Sequence, residues 1–426
     1  MGFVWPPRIA IASPRDQFLI REAASDKGLT MLSAPSAADG SAGDPDDHAD
    51  DIIYPSTIPF LLVHLACFAA LWTGLTAEAL LLGGGLYVLR MFAVTAGYHR
   101  YFAHRTYQTS RIAQFLLAFL AQTSAQRGVL WWAANHRAHH RHADTLDDVH
   151  SPRLHGFWRA HVGWIFTPRR DHTDYEAIAD FSRYPELVWL DRLPYLPPAL
   201  LAVASWLVAG WPGLIVGFCW STVLVWHATF AINSVAHLAG RRRYVTGDDS
   251  RNNWWLAVLT LGEGWHNNHH AYQSSVRQGF RWWEYDPTFY ALKALSWLGL
   301  VWNLHSPPAA VIRGEQRLGR KVIEKVAHQL AFAFPHDRIA ALTREELDRT
   351  ARWEELQARL GEARSQAEAL LSELHLPHVP SVDEIRHYAE QHLARTPSLE
   401  EIVARARQIL LEAISVRLLA SAAPAG

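Results

Sequence analysis

Histidine is the residue whose number and spacing in this chain speak most directly to chemistry: there are 24 among 426 residues, bunched rather than spread. Residues 97–104 read Gly-Tyr-His-Arg-Tyr-Phe-Ala-His and supply His99 and His104. Residues 135–140 read Asn-His-Arg-Ala-His-His and supply His136, His139 and His140. Residues 266–270 read His-Asn-Asn-His-His and supply His266, His269 and His270. The i, i+3, i+4 spacing of both triplets sets three imidazoles on one arc of a helix. His99 and His104 are five apart and do not share an α-helical face. One is therefore expected on a helix and the other just past its end.

Imidazole suits iron, zinc and copper, so spacing alone does not name the metal. Eight nitrogen donors are too many for one tetrahedral zinc and natural for two metal ions. Asn233 and His237, at i and i+4 near the end of an apolar segment, face the same pool and bring the histidines to nine. A structural zinc cluster or a merely basic helix face is the bland alternative. His142, His150, His155, His161 and His172 lie outside the triplets and read as hydrogen-bonding neighbours or surface histidines. Asp144, Asp147 and Asp148 follow the second cluster. They either orient ligating imidazoles through the second ring N–H or form a solvated acidic turn.

The elements that must position these groups are apolar. Four segments, 58–75, 79–96, 193–211 and 213–235, approach the length that crosses a bilayer, roughly 17–25 residues. The connections at 76–78 and 211–212 carry no Lys or Arg, whereas Arg100, Arg105, Arg111, Arg137 and Arg141, then Arg241, Arg242 and Arg243, crowd the segments after the second and fourth spans. Positive charge marks the cytoplasmic side. The expected fold is all-α: an integral membrane bundle of four transmembrane helices, both termini cytoplasmic, with a cytosolic helical cap holding the histidines. A bacterial inner membrane is the expected location. Arg90 would cost about 3 kcal/mol at the bilayer centre and is expected to snorkel or pack between helices. His64 and His227 are expected to make interhelical hydrogen bonds rather than bind metal. The run Gly83-Gly84-Gly85 reads as close helix packing, or, at Gly84, as room for an acyl tail.

Composition narrows the classes further. The only cysteines, Cys67 and Cys219, rule out a disulfide framework, a Cys-rich zinc site and a protein-held iron–sulfur cluster. A net charge of -1 gives no reason to expect nucleic acid, and 19 tryptophans suit long membrane–water interfaces. No secretory signal is evident, and residues 1–51 read as a disordered tail. Residues 52–305 read as the membrane domain and 306–426 as a helical extension rich in Ala, Glu, Arg and Leu. That extension carries capping boxes at Thr343/Glu346, Ser381/Glu384 and Ser398/Glu401. An apolar stripe over 353–374 and another through Ile402, Ala406, Ile409, Ala413 and Val416 are expected to pair as a hairpin. Arg313, Arg317, Arg320, Lys321 and Lys325 mark a basic helix.

A metal pair at a bilayer surface, under apolar helices, points to an apolar substrate. Zinc would suit hydrolysis; iron activates oxygen, which an unactivated C–H bond requires. The lack of Glu-x-x-His helices argues against the soluble ferritin-like di-iron class. The three histidine motifs, with Asn233-Ser234-Val235-Ala236-His237 and Gly262-Glu263-Gly264-Trp265, resemble the membrane acyl-CoA (stearoyl-CoA type, delta-9) desaturase family over about residues 55–300. The resemblance implies oxygen-dependent insertion of a cis double bond into a long-chain acyl thioester or lipid, usually between carbons nine and ten. It also implies two iron ions on the nine histidines, with Asn233 acting through water. Val149 stands where many relatives have proline. Arg169 and Arg170 resemble residues that meet the phosphates of coenzyme A, and Trp131 and Trp132 are candidates to line an acyl tunnel. With no dinucleotide-binding or haem motif in the chain, electrons are expected from a separate ferredoxin or small b-type cytochrome with its reductase. An acyl-chain hydroxylase of the same iron class is the nearest rival. A membrane metal-binding or transport protein is the more distant one.

Overall fold

A computed structural model describes residues 57–145, 147–166, 172–349 and 378–420. The N-terminal tail, the stripe over 353–374, and Arg169 and Arg170 fall outside the described residues. Nearly all regular structure is helical; the sheet among the described residues is a two-stranded one, Gln108–Thr109 against Val301–Trp302. The chain divides into two compact units, one within Ala42–Gly314 and one that includes Glu315–Gly426.

In the first unit, helix α1 (Ile58–Ala66) starts with proline in its first turn, and helical structure continues to Thr73, where Gly74 turns the chain at φ 78°. Helix α2 (Ala77–Phe92) opens with the Thr76 hydroxyl accepting from the Ala79 N–H at 3.2 Å, one of the donors a helix start otherwise leaves unmet. It runs on through a π-helical stretch, Ala93–Ala103. Helices α3 (Arg111–Gln122) and α4 (Val129–His142) follow, then α5 (Leu196–Pro212), a second π-helical stretch (Gly213–Trp220) and α6 (Ser221–Leu238). Short helices α7 (Trp254–Leu259) and α8 (His266–Ala271) lead to α9 (Pro287–Trp297).

Two helical runs, Ala77–Ala103 and Leu196–Leu238, are long and apolar enough to cross a membrane, the second of them interrupted; Ile58–Thr73 and Arg111–Gln122 are shorter apolar helices. The 43-residue second run is not straight. Ala209 and Gly210 leave helical backbone, with Gly210 at φ 61°. A Cβ on Gly213 would lie 2.3 Å from the Ser205 carbonyl oxygen. Eight residues of straight helix would separate those positions by about 12 Å, so the chain reverses here.

Small residues set how closely the helices approach. A Cβ on Gly83 would come within 2.9 Å of the Val216 carbonyl, and one on Gly217 within 2.8 Å of Leu82. This mutual contact holds α2 against the second π-helical stretch, the use expected of glycine between apolar helices. Gly84 and Gly85 instead line a groove with Val88, Leu89, Phe92, Leu261, Pro287 and Ala291. Gly84 therefore does not line the histidine-ended cavity described below, and its alternative reading as room for an acyl tail is corrected on that geometry. Arg90 packs rather than snorkels. It is fully buried, donating to Thr222 Oγ1 at 2.7 Å, to the Thr123 carbonyl at 3.3 Å and to the Ser221 hydroxyl.

The second unit contains α10 (Arg320–Ala331), α11 (His336–Arg349), α12 (Val382–His392) and α13 (Leu399–Ala420). Ile402, Ala406, Ile409 and Ala413 are buried, with Val326, Leu330, Ile339, Leu347 and Ile385 also in this unit's interior. Ser381 and Glu384 form the expected capping box. Thr343 does not start a helix; it is buried within α11, where apolar burial outweighed the local capping signal. Ser398 precedes α13, but its hydroxyl accepts from the Leu318 N–H at 3.0 Å.

One buried ion cluster ties the cap to the end of α2's helical run. Arg100, with no exposed surface, donates to Glu263 Oε1 at 3.0 Å, Asp286 Oδ2 at 3.0 Å and the Val276 carbonyl at 2.7 Å. Asp286 also caps α9 by accepting from Phe289 N at 3.0 Å. Removing the guanidinium strands two buried carboxylates. Arg100→Leu is expected to destabilise the protein by roughly 3–5 kcal/mol, read as a large fall in thermal unfolding temperature in detergent. An unchanged temperature would show that the cluster does not hold the cap.

Candidate metal centre

Local structure explains how each histidine reaches the centre. The spacing of five between His99 and His104 is accommodated by the π-helical stretch. The His104 N–H meets the His99 carbonyl at 3.2 Å, an i to i+5 bond, and the rings stand 4.8 Å apart. Widening the turn puts on one face two residues that an α-helix would separate. His104 is the C-cap of that stretch, just past its end as the spacing predicts.

The second triplet rides on α4, whose N-terminus is pinned by a buried carboxylate. Asp191 accepts from the N–H groups of Leu130 at 2.8 Å and Trp131 at 3.0 Å, and the Gln122 side chain accepts from Val129 N at 3.0 Å. Glycine is required at 128, because a Cβ there would sit 2.0 Å from the Asp191 carboxylate. The third triplet lies on the six-residue helix α8, too short to stand alone. Its two intervening asparagines staple it. Asn267 accepts from the N–H groups of Arg243 and Tyr244 at 2.7 and 2.8 Å. Asn268 donates to Glu284 at 2.9 Å and accepts from Asn252 at 2.7 Å.

The nine histidines converge as two groups. His99, His104, His136, His140 and His269 place one donor atom each within 4.8 Å of one another, and His139, His237, His266 and His270 do the same. Within the first group, Nε2–Nε2 separations are 2.9 Å for His104–His136, 3.0 Å for His136–His140, 2.9 Å for His140–His269 and 3.0 Å for His269–His99. In the second, His237 and His266 stand 3.1 Å apart. Two imidazole nitrogens about 2.1 Å from one ion, at right angles, would be about 3.0 Å apart. The donor sets therefore fit metal ions. The buried Nε2 of His270 has no hydrogen-bond partner, which a metal would remedy.

Carboxylates behind the rings fix which nitrogen faces inward. His237 Nδ1 meets Asp144 at 2.9 Å, His270 Nδ1 meets Asp248 at 2.8 Å, and His99 Nδ1 meets Glu263 at 2.5 Å. Asp148 lies 3.2 Å from His139 Nδ1 and 2.6 Å from His150 Nδ1. A ring that donates through Nδ1 turns the lone pair of Nε2 toward the centre. Of the acidic turn, Asp144 and Asp148 take this orienting role. Asp147 is exposed and approaches the exposed ring of His142 only to 3.8 Å. Asp248 was not singled out from sequence, since nothing in its local spacing marks it. Glu263 was visible only as part of a motif.

The remaining candidates separate by position. Asn233 lies one turn before His237 on α6 and lines the adjacent cavity. His150 is buried beside His139, with rings 4.4 Å apart, and lines the same cavity. His155 meets the Asp148 carbonyl at 3.0 Å, and His172 is exposed. His64 and His227 meet each other at 3.1 Å, as expected, and His161 joins them at 3.0 Å.

A cavity of about 390 Å³ leads from the apolar helices to the histidines. Trp131, Trp132, Trp164, Phe60, Phe218 and Phe230 contribute its aromatic wall. Gln126 braces it by accepting from Trp132 Nε1 at 3.3 Å and donating to Thr229 at 3.2 Å. His136 and His139, one from each donor group, line its inner end.

Burial, reinforced by neighbouring imidazoles, holds His104, His136, His140, His266 and His269 well below the usual 6.5, in the neutral form that has a lone pair to give. Burial alone would raise Asp148 and Asp248, but the imidazoles beside them more than offset it and hold both carboxyls below the usual range. Each of these histidines has a lower pKa folded than unfolded, so the unfolded chain binds more protons as pH falls through 6.5. The metal-free protein is therefore expected to lose stability as pH is lowered from about 7 to about 5, followed as thermal unfolding against pH. A transition temperature that rose on acidification would contradict the assignment.

A model of the fatty acid desaturase family matches residues 56–302. The chain is 37% identical over 227 residues to the sn-2 palmitoyl-lipid 9-desaturase of Nostoc sp. (strain 36), covering 52% of this chain and 79% of that protein. It is 36% identical over 262 residues to the sn-1 stearoyl-lipid 9-desaturase of Anabaena variabilis, covering 59% and 94%. Identity to the Acyl-CoA 5-desaturase AL21 of Anemone leveillei is 36% over 243 residues, covering 56% and 73%. With two groups of metal-fitting histidines at the end of an apolar cavity, the chain belongs to the fatty acid desaturase family and is an oxidoreductase of that kind.

Proposed function

We propose that two iron ions occupy the two histidine groups and that the enzyme places a cis double bond, at the delta-9 position, in a long acyl chain held in the cavity. The observation that carries this reading is that His136 and His139 belong to different donor groups and both face the inner end of one apolar cavity. His99, His104, His136, His140 and His269 would hold one ion, and His139, His237, His266 and His270 the other, with Asn233 acting through water. The iron pair would supply the oxygen chemistry that an unactivated C–H bond requires.

The chain's own residues do the positioning. Trp131 and Trp132 form part of the wall against which the methylenes lie, and the aromatic lining keeps water from the reacting carbons. Asp144, Asp148, Asp248 and Glu263 face the Nδ1 atoms of His237, His139, His270 and His99 and hold those four rings in place. Taking two hydrogens from a methylene pair yields two of the four electrons that reduce oxygen to two waters. The other two electrons come from a separate ferredoxin or small b-type cytochrome and its reductase, and two protons from solvent complete the two waters.

We place the catalytic unit at residues 52–305 as two helical hairpins entering from the cytoplasm, with the histidine centre and both termini on that side, and 306–426 as a helical appendage. The reversal at Gly210 and the exposed leucines of α1 and α5 support four spans. Arginine-rich segments after the second and fourth spans support the orientation.

Expression in a desaturase-deficient host, followed by fatty-acid analysis, is expected to yield monounsaturated chains that disappear with His139→Ala. Hydroxylated chains instead would move the protein to the hydroxylase reading. Asp248→Ala removes the carboxylate behind His270, which also accepts from Thr246 and Ser250, and is expected to weaken iron retention by about 10- to 100-fold, measured as iron per protein after dialysis against a chelator. Full retention would show that Asp248 does not support a ligand.

A further inference from the structure

We infer that His64, His161 and His227 are positioning residues that fix which methylene pair of the acyl chain meets the metal centre. The inference rests on the desaturase reading and adds a determinant of its positional specificity.

The three rings form one hydrogen-bonded chain. His64 Nδ1 lies 2.8 Å from the Phe60 carbonyl oxygen, and His64 Nε2 lies 3.1 Å from His227 Nε2. His227 Nδ1 is 3.0 Å from His161 Nε2, and His161 Nδ1 is 2.9 Å from the Ser234 hydroxyl. A carbonyl only accepts, so a neutral His64 carries its proton on Nδ1 and accepts at Nε2. His227 must then donate through Nε2 and accept at Nδ1. His161 donates through Nε2 and accepts from Ser234 at Nδ1. With neutral rings this is the order that satisfies all four contacts, and it engages both nitrogens of every ring. None of the three belongs to a metal donor group, and none is among the described residues that line the cavity.

What the chain joins is the cavity wall. Its rings come from α1, from α6 and from the short helix Phe157–His161. The same stretches supply Phe60, then Trp226 and Phe230, then Phe166 to the lining. Phe60 stacks on Trp226 with ring centroids 5.0 Å apart and meets Phe166 edge-on at 5.5 Å. His64 stands one helical turn from Phe60, their rings 4.2 Å apart, and stacks on Trp226 at 5.6 Å. His161 meets Phe230 edge-on at 6.0 Å. The far end of the chain, Ser234, adjoins Asn233, which lines the cavity beside His136 and His139. From His227 to Ser234 α6 rises about 10 Å, so the chain follows the cavity toward the metal centre. Aromatic contacts tolerate several arrangements, whereas hydrogen bonds fix distance and direction. Choosing one methylene pair needs that fixity, since a misplacement of about 1 Å costs on the order of 100-fold in rate.

The test compares full-length variants in a desaturase-deficient host supplied with stearate. Double-bond position is read by mass spectrometry of the fatty acids, and iron by elemental analysis of the purified protein. His227→Phe keeps an aromatic ring between its neighbours and removes both hydrogen bonds. It is expected to lower the parental isomer by about 10- to 100-fold per iron-loaded protein and to yield isomers with the bond shifted along the chain. His161→Gln keeps a donor toward His227 and loses the link to Ser234, so a smaller share of its product is expected to shift. Leu224→Ala, on the exposed side of α6, should give the parental isomer alone. Shifted isomers from His227→Phe support the inference. A single parental isomer from it, in an amount that falls only as iron-loaded protein falls, shows a merely structural role and overturns the inference while leaving the desaturase reading in place. Where His227→Phe does not accumulate, the same two results from His161→Gln decide. No unsaturated product of any kind from the unsubstituted protein sinks the desaturase reading and the inference with it.

Discussion

The organisation of this protein depends on burying imidazoles together, some of them against fixed carboxylates. A histidine ring has two nitrogens and, when neutral, one proton. By accepting that proton at Nδ1, Asp144, Asp148, Asp248 and Glu263 leave Nε2 as a lone-pair donor aimed inward. Burial supplies the other half of the constraint, holding His104, His136, His140, His266 and His269 in the neutral form, whereas Asp144 raises the pKa of His237 to about 9. The carboxylates are themselves buried and stay ionised only because imidazoles and arginine face them. Neither side of this arrangement would persist without the other, so the centre is cooperative by construction.

Secondary structure is bent to serve that requirement. The π-helical stretch at Ala93–Ala103 gives up regular α-helical bonding to bring His99 and His104 together. The short α8 survives because Asn267 and Asn268 are tied to neighbouring loops rather than because six residues favour a helix. Arg100 sits one residue from His99 and binds Glu263 and Asp286, joining the end of a long apolar helix to the loops that bring the third triplet. The same Glu263 serves Arg100 and His99, so the cap's attachment and the orientation of a proposed ligand share one carboxylate.

The apolar part has a different logic. Helices there approach through glycine, at Gly83 and Gly217, and buried polar groups such as Arg90 find partners on neighbouring helices. What remains between the helices is a cavity that is aromatic along its length and histidine-lined at its end. An apolar path to a polar centre is the geometry a saturated chain requires, and it places reacting methylenes in a site shielded from water.

Sequence alone determined the helical class, the three histidine motifs and the addition of His237, because each rests on local periodicity and residue type. The i, i+3, i+4 triplets survive as one-face arcs since helical spacing is a property of the backbone itself. Tertiary structure decided what has no local period. It partitioned nine histidines into groups of five and four, chose Asp144 and Asp148 over Asp147, and recruited Asp248 from a loop with no distinguishing spacing. It resolved the glycine run by placing Gly83 in the helix contact and turning Gly84 toward a separate groove. Thr343, read locally as a helix start, became a buried interior position because packing outweighs a capping preference of about 1 kcal/mol. Convergence of side chains from distant segments is a three-dimensional fact, and only the folded chain could supply it.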